Sequence, residues 1–101
     1  MKTLTSANRK HYRSLGHKLK PVVMIADKGL TDGVHGEIDR ALNDHELIKV
    51  RLNVESPTAR RELVEIICTH HCAQLVQTIG KIALILRHAD TPNPKLSNLL
   101  R

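Results

Sequence analysis

Alternating helix and strand signals predict an α/β fold for this chain of 101 residues. Three observations carry the prediction. Val22–Ile25 is an unbroken apolar run that ends at Lys28-Gly29, with the helix cap Thr31 just beyond. Leu47–Val54 alternates, with Ile48, Val50, Leu52 and Val54 on one side and Lys49, Arg51 and Asn53 on the other. Two apolar runs, Ala73–Ile79 and Lys81–Arg87, flank Gly80 as a hairpin would.

Taken in order, the first helix is predicted over Thr5–Leu15, with Ala7, His11, Tyr12 and Leu15 on one side and Gly16 as its C-terminal stop. Strand one, Val22–Ile25, reads as covered on both faces because it does not alternate. Helix two follows Thr31 and carries a stripe of Val34, Ile38, Ala41 and Leu42, broken at Asn43-Asp44. Ser56-Pro57 supplies an N-cap and a first-turn proline for helix three, with Leu63, Ile66 and Ile67 inward and an end near His71. The order is α-β-α-β-α-β-β. Crossover helices between strands one, two and three imply parallel or mixed pairing, and the Gly80 turn implies one antiparallel hairpin. The expectation is a compact two-layer sandwich on a mixed four-stranded sheet, with one sheet face partly wet. One domain over residues 1–88 and a flexible, mostly unstructured tail over 89–101, which holds Pro92 and Pro94, complete the outline.

Charge narrows the function. Residues 1–29 carry Lys2, Arg9, Lys10, Arg13, Lys18, Lys20 and Lys28 against Asp27 alone, so the net charge of +6 lies in the first third. Such asymmetry suits a polyanion, with a solvated basic helix as the bland alternative. Glycine and lysine in front of a helix N-terminus place backbone donors beside positive potential, which suits a phosphate. The chain has no Trp, no Phe and one Tyr, Tyr12, so it cannot stack bases along a sheet in any extended way. Recognition through backbone and shape is what remains, as in the KH module, whose GXXG loop clamps backbone nucleotides. The tetrapeptide in the comparable place is Ala26-Asp27-Lys28-Gly29.

Other classes fit less well. No apolar run approaches the roughly 18 residues of a membrane span, and the charged N-terminal stretch has no hydrophobic segment behind it. A cytoplasmic setting is expected. Cys68 and Cys72, four apart on a helix, would have Cβ atoms about 5–6 Å apart, too far for an undistorted disulfide. Cys68, His70, His71 and Cys72 invite a zinc reading, but a closed site needs four convergent ligands and no second pair has finger-like spacing. Packing is expected of them instead, with no metal and no cofactor. Asp44, His45 and Glu46 suggest acid–base chemistry only weakly, because polar residues are ordinary at a helix-to-strand turn. No nucleophile elbow, Walker loop or paired-carboxylate motif is present, so no enzyme and no small-molecule substrate are expected. A ribonuclease acting through scattered histidines is the enzymatic alternative. A helix-turn-helix lacks its second helix, and an adaptor that binds only proteins would leave the concentrated charge without a role.

Three segments carry a family resemblance. They are Leu19-Lys20-Pro21-Val22-Val23 leading to Lys28-Gly29-Leu30-Thr31; Ala41-Leu42 followed by His45-Glu46-Leu47-Ile48-Lys49-Val50; and Ile79-Gly80-Lys81 followed by a strand ending in Arg87. Together, over residues 4–88, the chain resembles the YhbY-like family of CRM domains, small RNA-binding proteins associated with the bacterial large ribosomal subunit. The resemblance implies a fold similar to the C-terminal domain of translation initiation factor three. It also implies a role in large-subunit assembly, through binding to ribosomal RNA in the precursors, with an adaptor for ribosomal proteins as the alternative; a monomer is expected. Lys20, Lys28, Gly29, Lys81 and Arg87 take an RNA-binding role from the family pattern. Arg9, Arg13 and Lys18 are added from charge. The chain departs from the family's GxxG loop at Ala26, so either that position never needs positive φ or the loop's grip on phosphate is weaker.

Overall fold

The computed structural model describes residues 4–100. Its elements are α1 (Ser6–Gly16), β1 (Pro21–Ile25), α2 (Asp32–His45), β2 (Leu47–Leu52), α3 (Pro57–His71), β3 (Gln74–Ile79) and β4 (Ile82–Leu86). The expected order therefore holds. The sheet runs β1-β2-β4-β3. β1 pairs with β2 in parallel, and β4 lies antiparallel to both β2 and β3.

Local chemistry explains where the helices begin. Thr31 Oγ1 accepts a hydrogen bond from Val34 N at 3.2 Å, and Ser56 Oγ accepts one from Ala59 N at 3.2 Å with Pro57 in the first turn. Thr5 Oγ1 caps α1 through Asn8 N. Each hydroxyl satisfies one of the donors that a helix leaves open at its start.

One sheet face is buried beneath α2 and α3. Ile48, Val50 and Leu52 of β2, Ala83 and Ile85 of β4 and Val23 and Ile25 of β1 meet Ile38, Leu42, Val64 and Ile67 there. On the opposite face α1 covers Leu47, Val76, Leu84 and Leu86 with Tyr12 and Leu15. The remainder of that face is open, which is the partly wet surface the alternation of β2 predicted.

Several local expectations are corrected. β1 is an edge strand covered on one face only: Val23 and Ile25 are buried, whereas Val22 and Met24 are half exposed. In α3 the inward residues are Val64, Ile67 and His71, and Ile66 faces solvent, because the buried stripe runs through 60, 63, 64, 67 and 71. Asn43-Asp44 does not break α2, which continues to His45 and turns at Glu46, φ +63°. Residues 89–100 form no helix or strand, yet they are seated on the domain. Ser97 is fully buried, Asn98 N donates to His45 O at 2.9 Å, and Leu99 packs beside Leu47.

Gly16 is a correction with an energetic consequence. It is the last residue of α1, followed by His17 in right-handed helical geometry, so it is not a left-handed stop. Its role is close approach, since a Cβ at this position would lie 2.5 Å from Leu84 Cδ2. Alanine gains up to about 1 kcal/mol of helix preference, but overpacking a buried leucine costs about 1–3 kcal/mol. Gly16→Ala is expected to lose about 1 kcal/mol of stability in urea unfolding. A variant as stable as the parent would show that Leu84 can move aside.

Candidate nucleic-acid interface

The loop after β1 is built around Gly29. Its N–H donates to Ala26 O at 2.9 Å, closing a turn, and Thr31 N donates to Gly29 O at 3.2 Å. Gly29 has φ +69°, with open space where a Cβ would stand. A side chain there would thus be disfavoured by backbone conformation and not by a neighbour. Ala26 is not among the positive-φ residues, so alanine imposes no such strain on the turn. The loop itself carries Asp27, Lys28 and Asp32, all exposed, so its local charge is not basic. Cations from elsewhere must supply the field.

Topology brings them close. The chain leaves β1 at Ile25, β2 at Leu52 and the β3–β4 turn at Gly80-Lys81 on one end of the sheet. Asn53 N donates to Ile25 O at 2.8 Å, and Leu52 N donates to Lys81 O at 2.6 Å. Beside these loops lies the open sheet face. Register places Met24, Arg51, Ile82 and Ile79 in one row and Pro21, Lys49, Leu84 and Gln77 in the next. Lys49 and Arg51 enter no ion pair among the described residues, and apolar neighbours surround them in a shallow groove. Sequence reasoning turned both side chains outward but gave them no part in binding. The missing information was that β1 is an edge strand and that α1 stops short of this end.

The eight residues singled out from sequence divide. Lys28 is exposed on the loop, Lys20 is exposed just before β1, and Arg13 and Lys18 are exposed on and after α1. Lys81 sits at the same end of the sheet as the loop and pairs with exposed Glu55, whose carboxyl that hydrogen bond and charge hold below its usual range. Arg9 is committed to structure. Its Nη1 donates to Leu75 O at 2.8 Å and Val76 O at 2.7 Å, at the point where a bulge interrupts the β3–β4 register. Arg87 lies at the other end of the sheet, after β4. It donates to His71 O and Asp39 O at 3.1 Å and to Asn43 Oδ1 at 2.9 Å, and pairs with Asp39 at 3.0 Å. The structure thus puts Lys28, Gly29 and Lys81 at the same end of the sheet as Arg51, and places Arg87 apart in a tie between α2 and the end of α3.

A second polar cluster lies at that tie. His35 Nδ1 and His71 Nε2 are 2.9 Å apart, and the His35 and His70 rings stack at 4.1 Å. Burial pushes the His71 pKa down, and the neighbouring His70, His35 and Arg87 add to the effect against Asp39. Cys68 packs against the core, and burial raises its thiol pKa. Among the described residues no helix is long and apolar enough to cross a membrane.

Comparison with known proteins agrees with this architecture. The CRS1 / YhbY (CRM) domain model matches residues 4–87. A Pseudomonas aeruginosa protein named "Probable RNA-binding protein PA4753" is 49% identical over 98 residues, covering 97% of this chain and 94% of its own. A Haemophilus influenzae protein named "RNA-binding protein" is 39% identical over 90 residues, covering 89% and 91%. The solution structure of the hypothetical protein SAV1595 from Staphylococcus aureus superposes with a TM-score of 0.77 at 30% identity, covering 88% of this chain and 93% of that one. With the family model spanning most of its length and two relatives above 30% identity, this chain belongs to the CRS1/YhbY (CRM) domain family.

Proposed function

We propose that this protein binds structured RNA by its phosphate backbone, and that its target is ribosomal RNA in large-subunit precursors, whose assembly it assists without catalysing a reaction. The observation that carries the RNA reading is one end of the sheet, where the Lys28-Gly29 loop, the Lys81 turn and the open face with Lys49 and Arg51 adjoin. Relatives named as RNA-binding proteins support the polymer class. The ribosomal target rests on the family resemblance. Cations and N–H donors grip phosphates, and with one tyrosine in the chain base stacking adds little. The protein is proposed to act as a monomer in the cytoplasm.

Titration against a large-subunit ribosomal RNA fragment tests the binding mode. If about five phosphates are engaged, log affinity falls with log salt at a slope of about −3.5 to −4.5. Lys28→Ala is expected to weaken binding by about 1 kcal/mol and to flatten the slope by about one contact. Gly29→Val is expected to weaken it too, with the fold retained. Ala26→Gly relieves no strain and is expected to leave affinity unchanged. Lys95→Ala, in the tail, removes the same charge as Lys28→Ala and serves as control. Equal losses at Lys28 and Lys95, with none at Gly29, would displace the interface from this loop. Sucrose-gradient fractionation at low salt addresses the target: the protein should travel with large-subunit precursors, and a protein confined to the free pool would refute the assembly role.

A further inference from the structure

α2 and the end of α3 meet through three histidines. His35 comes from the end of the first turn of α2, and His70 and His71 close α3. One nitrogen from each can be chosen so that all three lie within 4.8 Å of one another. Asp39, Cys72 and Arg87 complete the walls of the surface cleft they line. Neither Cys68 nor Cys72 joins the set, so the ligand group differs from the Cys-His quartet that the helix spacing suggests.

The geometry is close to what a metal ion needs. Two nitrogens on a tetrahedral zinc with bonds of about 2.0–2.1 Å stand about 3.3 Å apart. His35 Nδ1 and His71 Nε2 are 2.9 Å apart, so replacing the shared proton by an ion requires a separation of a few tenths of an ångström. His70 is exposed and its ring stacks on His35 at 4.1 Å, so a turn about its side-chain torsions brings its lone pair toward the same point. His71 is held in place by burial. The Arg87 charge, which would oppose a cation, is offset by Asp39 at 3.0 Å. Imidazole donors with no carboxylate or thiolate suit borderline divalent ions and not magnesium or calcium.

We propose that His35, His70 and His71 form a three-histidine site for a divalent transition-metal cation of the zinc class, clipping α2 to the end of α3 and leaving a fourth coordination position open to solvent. The sequence expectation of no metal rests on the lack of four convergent ligands within Cys68–Cys72; His35 stands 35 residues before His70, and only the packing of two helices brings it to the group. The site is separate from the proposed RNA contacts and is assayed without RNA.

Calorimetric titration of the full-length, untagged, chelator-treated protein with zinc chloride tests the assignment, with cobalt(II) absorption reporting coordination geometry. One zinc per chain is expected at about pH 7.5, with weaker binding at about pH 5.5, where protons compete for imidazole. His35→Gln and His70→Gln, at positions that are half-buried and exposed, should each weaken binding at least about tenfold. His17→Gln, at an exposed position after α1, should not. Zinc should also raise the melting temperature of the parent but not of His35→Gln. Folding of each variant is checked by circular dichroism. Absence of saturable zinc binding, or equal affinity in the parent and in folded His35→Gln and His70→Gln, would overturn the site and leave the trio as a hydrogen-bonded helix contact.

Discussion

Glu46→Ala is expected to cost about 2–4 kcal/mol and to detach residues 89–100 from the domain. Glu46 is 2% exposed, at the turn where α2 gives way to β2. Its Oε2 accepts from Ala89 N at 2.8 Å and its Oε1 accepts from Ser97 Oγ at 2.6 Å, so one carboxylate holds the tail at two points eight residues apart. Asn98 adds hydrogen bonds to His45 O and Leu47 O, and Leu99 joins the apolar cluster beneath α1. Removing the carboxylate leaves two donors without a partner, each worth about 1–3 kcal/mol while it stays buried. A second effect acts in the opposite direction. At φ +63° a residue with a Cβ is strained by about 1–2 kcal/mol, and alanine keeps that strain whereas glycine removes it. Glu46→Gly should therefore be about 1 kcal/mol more stable than Glu46→Ala while losing the same tail contacts. Urea unfolding reads the stability, and amide exchange at Ala89, Ser97 and Asn98 reads the tail. A Glu46→Ala loss below about 0.5 kcal/mol with those amides still protected would show that the carboxylate is not the anchor.

Glu46 also shows where sequence reading stops. The helices were legible because their caps are local: Thr31 and Ser56 each act on an N–H three residues away. β2 and the Gly80 hairpin were legible for the same reason, since alternation and turn chemistry are short-range signals. What depends on partners far along the chain was not. A carboxylate at a helix-to-strand turn gives no sign that Ser97, 51 residues on, will bury it. Gly16 reads as a helix stop until Leu84 is known to press against it. The apolar run of β1 reads as a central strand, although it lies at the edge with Val22 and Met24 half exposed. In the candidate interface, positive φ at Gly29 followed from its neighbours, but the basic character of Arg9 and Arg87 did not reveal that both donate to backbone carbonyls. Composition counts a guanidinium as surface charge whether it faces a phosphate or a bulge.

That distinction yields the largest expected change in RNA affinity, from Lys49→Glu combined with Arg51→Glu. The two side chains alternate outward from β2 between the buried Ile48, Val50 and Leu52, so both reach the open face and neither supports the core beneath α2 and α3. Arg51 lies in register between Met24, next to the loop, and Ile82, next to the Lys81 turn. Each cation that meets a phosphate contributes about 1 kcal/mol, and reversal adds repulsion to the loss, so the pair should weaken binding by about two orders of magnitude at low salt. The salt slope should flatten by about two contacts. Arg13→Glu combined with Lys18→Glu, on and after α1, changes net charge by the same amount and separates local contact from general attraction. Arg9 and Arg87 are unsuitable for this comparison, because replacing either removes hydrogen bonds that tie α1 to β3 or α2 to α3. Parent and both double variants are titrated against one ribosomal RNA fragment at several salt concentrations, with folding checked by circular dichroism. A much larger loss from the β2 pair than from the α1 pair places the RNA across the open sheet face. Equal losses would mean that only net charge matters, and a loss confined to the α1 pair would move the interface onto the first helix.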